Sequence, residues 1–133
     1  MKPVRFHSWN ISPNEAIAIQ NNLREKIVFS TISNDIQHIG GTAVAFDAGK
    51  NIIHAALTIL KYPSLEVVEQ NGVTQEITFD YISGLLTFRE GAPLMSLFRK
   101  TSQDIDLIVF HSHGQSHPRK FGLASHLGVL LDV

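Results

Sequence analysis

Several residue types and patterns are missing from this 133-residue chain, and each absence excludes a class of protein. There is no cysteine, which excludes disulfide bonds, a thiolate nucleophile and cysteine zinc ligands. No apolar run reaches the about 20 residues that a membrane-spanning helix needs. The first ten residues, MKPVRFHSWN, lack the apolar centre of a signal peptide. We therefore expect a cytoplasmic protein without a membrane partner.

An excess of positive charge is also missing. Eleven Lys and Arg residues face 12 Asp and Glu residues, which gives a net charge of −1 and no overall field that would attract nucleic acid. Any such binding would depend on local basic patches. With 44% hydrophobic residues the chain can bury a core, and its length fits a single domain spanning residues 1–133.

A helix is predicted near the N-terminus, from residue 13 to about residue 27. Ser12 is a capping residue, Pro13 suits the first helical position, and Glu15 lies three residues after the cap. Apolar residues recur at helical spacing behind them. The polar residues between, Gln20 among them, are interpreted as a solvated face, and Trp9 is predicted to anchor the preceding segment.

Three antiparallel strands are predicted next, because β-rich runs are separated by turn residues. The predicted strands cover residues 42–47, 51–61 and 65–70. Residues 71–72, Asn-Gly, are a further turn signal. Residues 73–79 either extend the sheet or form an arm.

The second half of the chain predicts a helix, a strand and a helix. Pro93 is predicted to start a helix that runs to about Lys100, and residues 121–131 form the last one. Between them, residues 106–110 are apolar without alternation, which suits a strand buried on both faces. A parallel fourth strand reached through a helix makes a mixed sheet. The predicted fold class is α/β, with three antiparallel strands plus a parallel fourth strand flanked by helices, the opening of a ribonuclease H-like fold.

Candidate chemistry is concentrated in residues 106–120, DLIVFHSHGQSHPRK. The apolar strand stops at His111, and His113 and His117 follow within a polar, glycine-containing loop. Such a loop after a strand is where an α/β sheet places its chemistry. Nitrogen ligands favour Zn²⁺, Mn²⁺ or Ni²⁺ over Mg²⁺, so these histidines and the upstream Glu90 could form a metal site. The alternative is that His111 only fills space.

Four segments of the chain resemble the endonuclease V family, metal-dependent nucleases that recognise deaminated bases, chiefly inosine. The segments are IGGTAVAF (39–46), KYPSLEVVE (61–69), YISGLLTFRE (81–90) and HGQSHPRKFGLASHLGVLLDV (113–133). Their order and spacing fit the family from residue 39 to the end. Because the family continues beyond LLDV, the resemblance implies a truncated ribonuclease H-like fold that lacks the family's C-terminal part.

The resemblance also implies a metal site, in which two of three expected ligands are replaced. The family holds Mg²⁺ with an Asp on the first strand, a Glu after FR and an Asp ending the fourth strand. Here the Glu is present as Glu90, but the first Asp falls on Ala43 and the last on His111. Asp47 lies roughly 13 Å along the strand from Ala43. Asp35 aligns only after an insertion, so neither is a good substitute.

Further site residues follow from matches to the family's motifs. His117 matches the histidine of the SHPR segment, so the candidate catalytic residues are Glu90, His111 and His117, with Glu90 and His111 as candidate metal ligands. Tyr81 matches the tyrosine of a wedge that enters the helix beside the lesion, although the family's flanking prolines are absent. The candidate nucleic-acid-binding residues are Tyr81, Ser83, Gly84, Arg119 and Lys120; the last two match a basic pair that contacts phosphate.

Three functional hypotheses stay open, and with them the question whether the protein is an enzyme. The first is an endonuclease V-like protein with lost or much reduced Mg²⁺-dependent cleavage and weak binding to inosine-containing DNA or RNA. The second is an active nuclease with a remodelled Glu/His site that uses Mn²⁺ or Zn²⁺. Under the first hypothesis, the absence of any cofactor stays an open alternative. The third is an interaction protein that forms a homodimer, or binds another partner, through the exposed edge of the fourth strand. The His-Ser-His loop also occurs in JAMM-type zinc isopeptidases, but their downstream Ser and Asp are absent here.

Overall fold

A mixed four-stranded sheet organises the protein. The computed structural model describes residues 3, 4 and 6–133. The helices are α1 (Pro13–Leu23, extended by a 3₁₀ turn at Arg24–Lys26), α2 (Leu86–Lys100) and α3 (Leu123–Leu131), and the strands are β1 (His38–Asp47), β2 (Ile52–Lys61), β3 (Glu66–Glu76) and β4 (Leu107–Val109). The strand order is β3-β2-β1-β4. As predicted, β1, β2 and β3 are antiparallel and β4 runs parallel to β1.

Helix α1 begins as the sequence predicts. The Ser12 hydroxyl accepts a hydrogen bond from the Glu15 amide at 3.2 Å, and the Glu15 carboxylate accepts one from the Ser12 amide at 3.4 Å. These bonds satisfy two N–H groups that would otherwise lack partners at the helix start. The α-helix ends at Leu23, four residues before the predicted end, and tightens into the 3₁₀ turn.

The predicted turn at residues 71–72 is wrong. Strand β3 runs straight through these residues, with Asn71 opposite Leu57 and Gly72 opposite Ala56. Antiparallel pairing with β2 continues on both sides of these residues, and this pairing outweighs their local preference for a turn. Residues 73–76 therefore extend the sheet, and the arm alternative is excluded for them.

The predicted start of α2 at Pro93 is also wrong, because the helix begins seven residues earlier and contains this proline. Proline forfeits only the hydrogen bond to the carbonyl of Arg89. The first two turns are held instead by buried side chains. Phe88 is among them, and it packs against Ala16 of α1 and Phe79.

The main core lies between the sheet and the helices. Side chains from one face of β2 meet α2 and α3 there; the largest fully buried members include Leu57, Ile59, Leu97, Phe98 and Leu127. Burial of this apolar surface drives the packing. Within residues 3–4 and 6–133, no helix is long and apolar enough to cross a bilayer.

Strand β4 is shorter and more exposed than predicted. It pairs with β1 at three positions only, and the Val109 side chain is 56% exposed, so burial on both faces is wrong. The strand lies at the edge of the sheet, and on its outer side no strand of the described residues pairs with it. Before it, the Asp106 carboxylate accepts hydrogen bonds at 2.9 Å from the amides of Gln37 and His38. These bonds fix the start of β1 beside β4.

The loop after β4 closes back onto the start of α3. The Gly122 amide donates to the Gly114 carbonyl at 2.9 Å, and the Ala124 amide donates to the His113 carbonyl at 3.1 Å. A side chain at Gly122 would lie 2.2 Å from that same His113 oxygen. Helix α3 begins only after this contact, at Leu123, two residues after the predicted start.

Candidate nucleic-acid interface and metal positions

A cleft of about 340 Å³ forms where β1, α2 and the end of β4 meet. Ala43 from β1, Glu90 from α2 and His111 after β4 all line it. These are the three positions at which the resemblance places metal-binding carboxylates. The fold therefore brings together the predicted positions, although only one of them carries a carboxylate.

The carboxyl group of Glu90 is half-buried in this cleft. Burial raises its pKa, and the neighbouring positive charge of Arg89 opposes that rise. The net rise means that loss of solvent contact outweighs the effect of Arg89 on this pKa.

The donor set of the cleft does not fit Mg²⁺. Magnesium requires near-octahedral oxygen ligands, whereas the cleft offers the Glu90 carboxylate and the His111 imidazole. In the part of the chain that the structure describes, no group of three or more His, Cys, Asp or Glu residues is placed to hold a metal ion. Any metal here would have to accept a nitrogen ligand.

A second cleft, of about 660 Å³, adjoins the first, and His111 lines both. One wall is the segment from Tyr81 to Gly84, and the other consists of residues 111–113 and 116–118. Tyr81 is 70% exposed, so its ring is not held in the core. The predicted wedge residue and the histidine loop thus face a common space.

His117 is buried at the base of this second cleft, and both ring nitrogens have partners. Nε2 lies 2.7 Å from the Gly84 carbonyl, and Nδ1 lies 3.0 Å from the Arg119 amide. A carbonyl only accepts and an amide only donates, so the proton is on Nε2. In this arrangement His117 has no free nitrogen to join Glu90 and His111 as a ligand. Its catalytic role stays a prediction.

The two residues of the predicted phosphate-binding pair are placed differently. The Arg119 guanidinium turns inward, with Nε donating to the Gln20 side-chain oxygen at 2.6 Å and Nη2 to the Gly84 carbonyl at 3.0 Å. Lys120 is exposed. A role in phosphate contact stays a prediction for both residues, and the geometry favours Lys120.

Gln20 belongs to this site, although the sequence placed it on a solvated face of α1. That prediction is wrong: the side chain is 0% exposed. Its partners Gly84 and Arg119 lie 64 and 99 residues away. A local sequence pattern does not indicate contacts between residues so far apart in the chain, so these hydrogen bonds are evident only in the tertiary structure.

Comparison with known protein sequences gives one consistent family. A family model described as Endonuclease V matches residues 21–133. Endonuclease V of Gloeobacter violaceus is 40% identical over 130 residues, which cover 96% of this chain and 53% of that protein. Endonuclease V of Nostoc punctiforme is 35% identical over 134 residues, which cover 100% of this chain and 61% of that protein. The chain spans between half and two thirds of these relatives' length.

Solved structures give the same family. The endonuclease V of Streptomyces avermitilis superposes with a TM-score of 0.88 at 33% identity, over 99% of this chain and 59% of that one. The Ciona intestinalis endonuclease V, in complex with a 24mer DNA containing an inosine followed by a ribo-adenosine, gives 0.83 at 26% identity, over 90% and 54%. The predicted ribonuclease H-like fold class is confirmed.

Proposed function

The chain belongs to the endonuclease V family, and from that premise we propose that its Mg²⁺-dependent phosphodiester cleavage is lost or much reduced. One observation carries the proposal. Of the three positions that converge on the smaller cleft, Ala43 and His111 supply no carboxylate and only Glu90 does.

The physical reason lies in how a metal ion assists phosphoryl transfer. It activates the attacking water and neutralises the charge that develops on the phosphate oxygens. Several anionic oxygen ligands must hold such an ion at a fixed place. The cleft offers one carboxylate, which supplies too few oxygen ligands and too little negative charge for that task.

The proposal includes weak binding of inosine-containing DNA or RNA by this protein. Support comes from the larger cleft, which lies between the exposed Tyr81 and the histidine loop, and from the exposed Lys120 beyond it. The Ciona relative binds inosine-containing DNA. The net charge of −1 limits the electrostatic contribution, so binding should be weak, and its few phosphate contacts should give it a shallow dependence on salt.

The test is a nicking assay on labelled single-stranded and duplex oligonucleotides that contain one inosine. It would use Mg²⁺ and then Mn²⁺, with Glu90→Ala as the control for site-dependent activity. We expect no cleavage by the unaltered protein. Cleavage that Glu90→Ala abolishes would overturn the proposal. The double variant Ala43→Asp, His111→Asp then tests whether the missing carboxylates alone account for inactivity.

A remodelled metal site is the second candidate function, favoured by the shared position of Glu90 and His111 in one cleft. Here Mn²⁺ or Zn²⁺ would bind the carboxylate and the imidazole, the ligand types that these ions accept. Calorimetric titration should then show binding that His111→Ala removes and His113→Ala retains, because His113 lines only the larger cleft. Equal affinities in the two variants would exclude this site.

Self-association is a further proposal, supported by the edge position of β4 and the exposed side chain of Val109. An unpaired strand edge can pair with a second chain. Light scattering should give the mass of a dimer, and Val109→Lys should shift it to that of a monomer. A monodisperse monomer before any substitution would exclude a homodimer.

A further inference from the structure

Three side chains from two separate parts of the chain donate to one backbone oxygen, the carbonyl of Gly84. The donors are His117 Nε2 at 2.7 Å, Gln20 Nε2 at 2.8 Å and Arg119 Nη2 at 3.0 Å. A carbonyl oxygen has two lone pairs, so three donors saturate it. This oxygen is the point at which α1 and the segment after β4 hold the Tyr81–Gly84 loop.

Gln20 connects the other two groups of this cluster. Its nitrogen donates to Gly84, and its oxygen accepts from Arg119 Nε at 2.6 Å. The reversed amide orientation would place two donors face to face at Arg119 and two acceptors face to face at Gly84. The partners therefore fix the orientation of the amide, and the complete burial of Gln20 leaves no water to replace them.

Gly84 is shaped to receive this cluster. Its φ of +83° lies in the left-handed region that favours glycine. A Cβ at this position would lie 2.8 Å from Arg119 Nη2. Both the backbone conformation and the close guanidinium thus depend on the absence of a side chain.

We propose that Gln20 is a positioning residue for nucleic-acid recognition: it locks Arg119 onto Gly84 and so holds the Tyr81–Gly84 loop at the rim of the larger cleft. The inference rests on the proposed binding of inosine-containing nucleic acid. We call the hydrogen bonds that join Gln20, Arg119 and the Gly84 carbonyl the clamp. Arg119 is part of this clamp, and the contact with phosphate is assigned to Lys120.

The loop needs such a clamp because little else holds it. It contains no helix or strand, and Tyr81, Ile82 and Ser83 are exposed. Within it, a single backbone bond joins the Leu85 amide to the Ile82 carbonyl at 2.9 Å. Without Gln20 the Tyr81 side chain would sample many positions, and binding would require ordering the loop first.

The test compares Gln20→Met with Asn21→Met. Methionine keeps the length of the glutamine side chain but neither hydrogen bond, and Asn21 is the exposed neighbour on the same helix. Hydrogen exchange of the Leu85 amide, which donates the backbone hydrogen bond to Ile82, reports the loop without nucleic acid and is measured by NMR. Fluorescence anisotropy with single-stranded oligonucleotides that carry inosine or adenosine at one position reports recognition.

We expect Gln20→Met to speed exchange of the Leu85 amide by about tenfold, since local opening sets the exchange rate of a hydrogen-bonded amide. The preference for inosine should disappear, whereas Asn21→Met should change neither readout. Normal loop exchange in Gln20→Met, whatever its melting temperature, would overturn the clamp and leave Gln20 as a core residue only. If the unaltered protein shows no preference for inosine, the proposed binding fails, and exchange alone still decides whether the clamp exists.

A second variant keeps the inference testable if Gln20→Met does not fold. Arg119→Lys retains the positive charge but not the forked geometry that reaches Gln20 and Gly84 together. It should loosen the loop as Gln20→Met does, without altering the salt dependence of binding. Lys120→Ala should leave loop exchange unchanged and should make binding less salt-dependent. If Arg119→Lys leaves loop exchange unchanged, the clamp is refuted.

Discussion

Acidification is expected to destabilise the fold through His126 of α3. This side chain is 0% exposed, and rings of Phe88, Phe121 and Trp9 surround it. Nε2 lies 2.8 Å from His7 Nε2, and Nδ1 has no hydrogen-bond partner among the residues that the structure describes. Burial, with a smaller effect from the charge on His7, lowers the pKa of His126 to about 3.

The direction and size of the effect follow from proton linkage. A histidine with a lowered pKa resists protonation in the folded state but takes up a proton near pH 6.5 when unfolded. Its contribution to stability is therefore complete above pH 6.5 and decreases as the pH falls toward 3. At pH 5, about 1.5 pH units below the unfolded-state value, the loss from His126 is about 2 kcal/mol. Burial also lowers the pKa of His7, which adds to the loss in the same direction.

The assay is urea unfolding at pH 7 and pH 5, followed through the fluorescence of Trp9. His126→Leu removes the titrating group from the core, and His54→Gln removes an exposed histidine as the control. Between the two pH values, His126→Leu should lose about 2 kcal/mol less than the unaltered protein, and His54→Gln should behave like the latter. Equal losses in all three proteins would refute the assigned role of His126.

Alanine substitutions at Gly122 and Gly91 test whether the structure is closely packed at these two positions. Gly122→Ala places a Cβ 2.2 Å from the His113 carbonyl oxygen, so it should cost on the order of 3 kcal/mol in urea unfolding. Gly41→Ala, where nothing lies within 4 Å, is the control, and a similar loss there would contradict the packing argument. Gly91→Ala places a Cβ 2.4 Å from the Trp9 ring. It should displace the ring and shift the tryptophan emission to longer wavelength; unchanged emission would show that Trp9 is not held against this helix.

The sequence predicted those parts of the fold that local chemistry decides. The cap at Ser12 is confirmed because both of its partners lie within three residues. The turn at residues 71–72 and the helix start at Pro93 are wrong because strand pairing and core packing outweigh a local preference there. The larger error concerns Gln20, whose partners lie in segments that meet only in the folded chain.

The candidate site was predicted in its positions but not in its connections. Motif matching located Ala43, Glu90 and His111, and the fold brings them to one cleft. It could not show that His117 uses both nitrogens internally or that Arg119 turns away from solvent. Such hydrogen bonds depend on side-chain directions, which a linear pattern does not contain.

The residues that determine metal binding in the smaller cleft are different from the residues that stabilise the fold. Ala43 and His111 are exposed, whereas the residues that hold sheet and helices together, such as Leu57 and Phe98, lie elsewhere. Replacing a carboxylate at the rim removes mutual repulsion among anions and disturbs no core packing, so such a change falls well within the stability margin that proteins tolerate. Single substitutions at these positions can therefore change which metal ion the cleft binds, if any, without unfolding the protein.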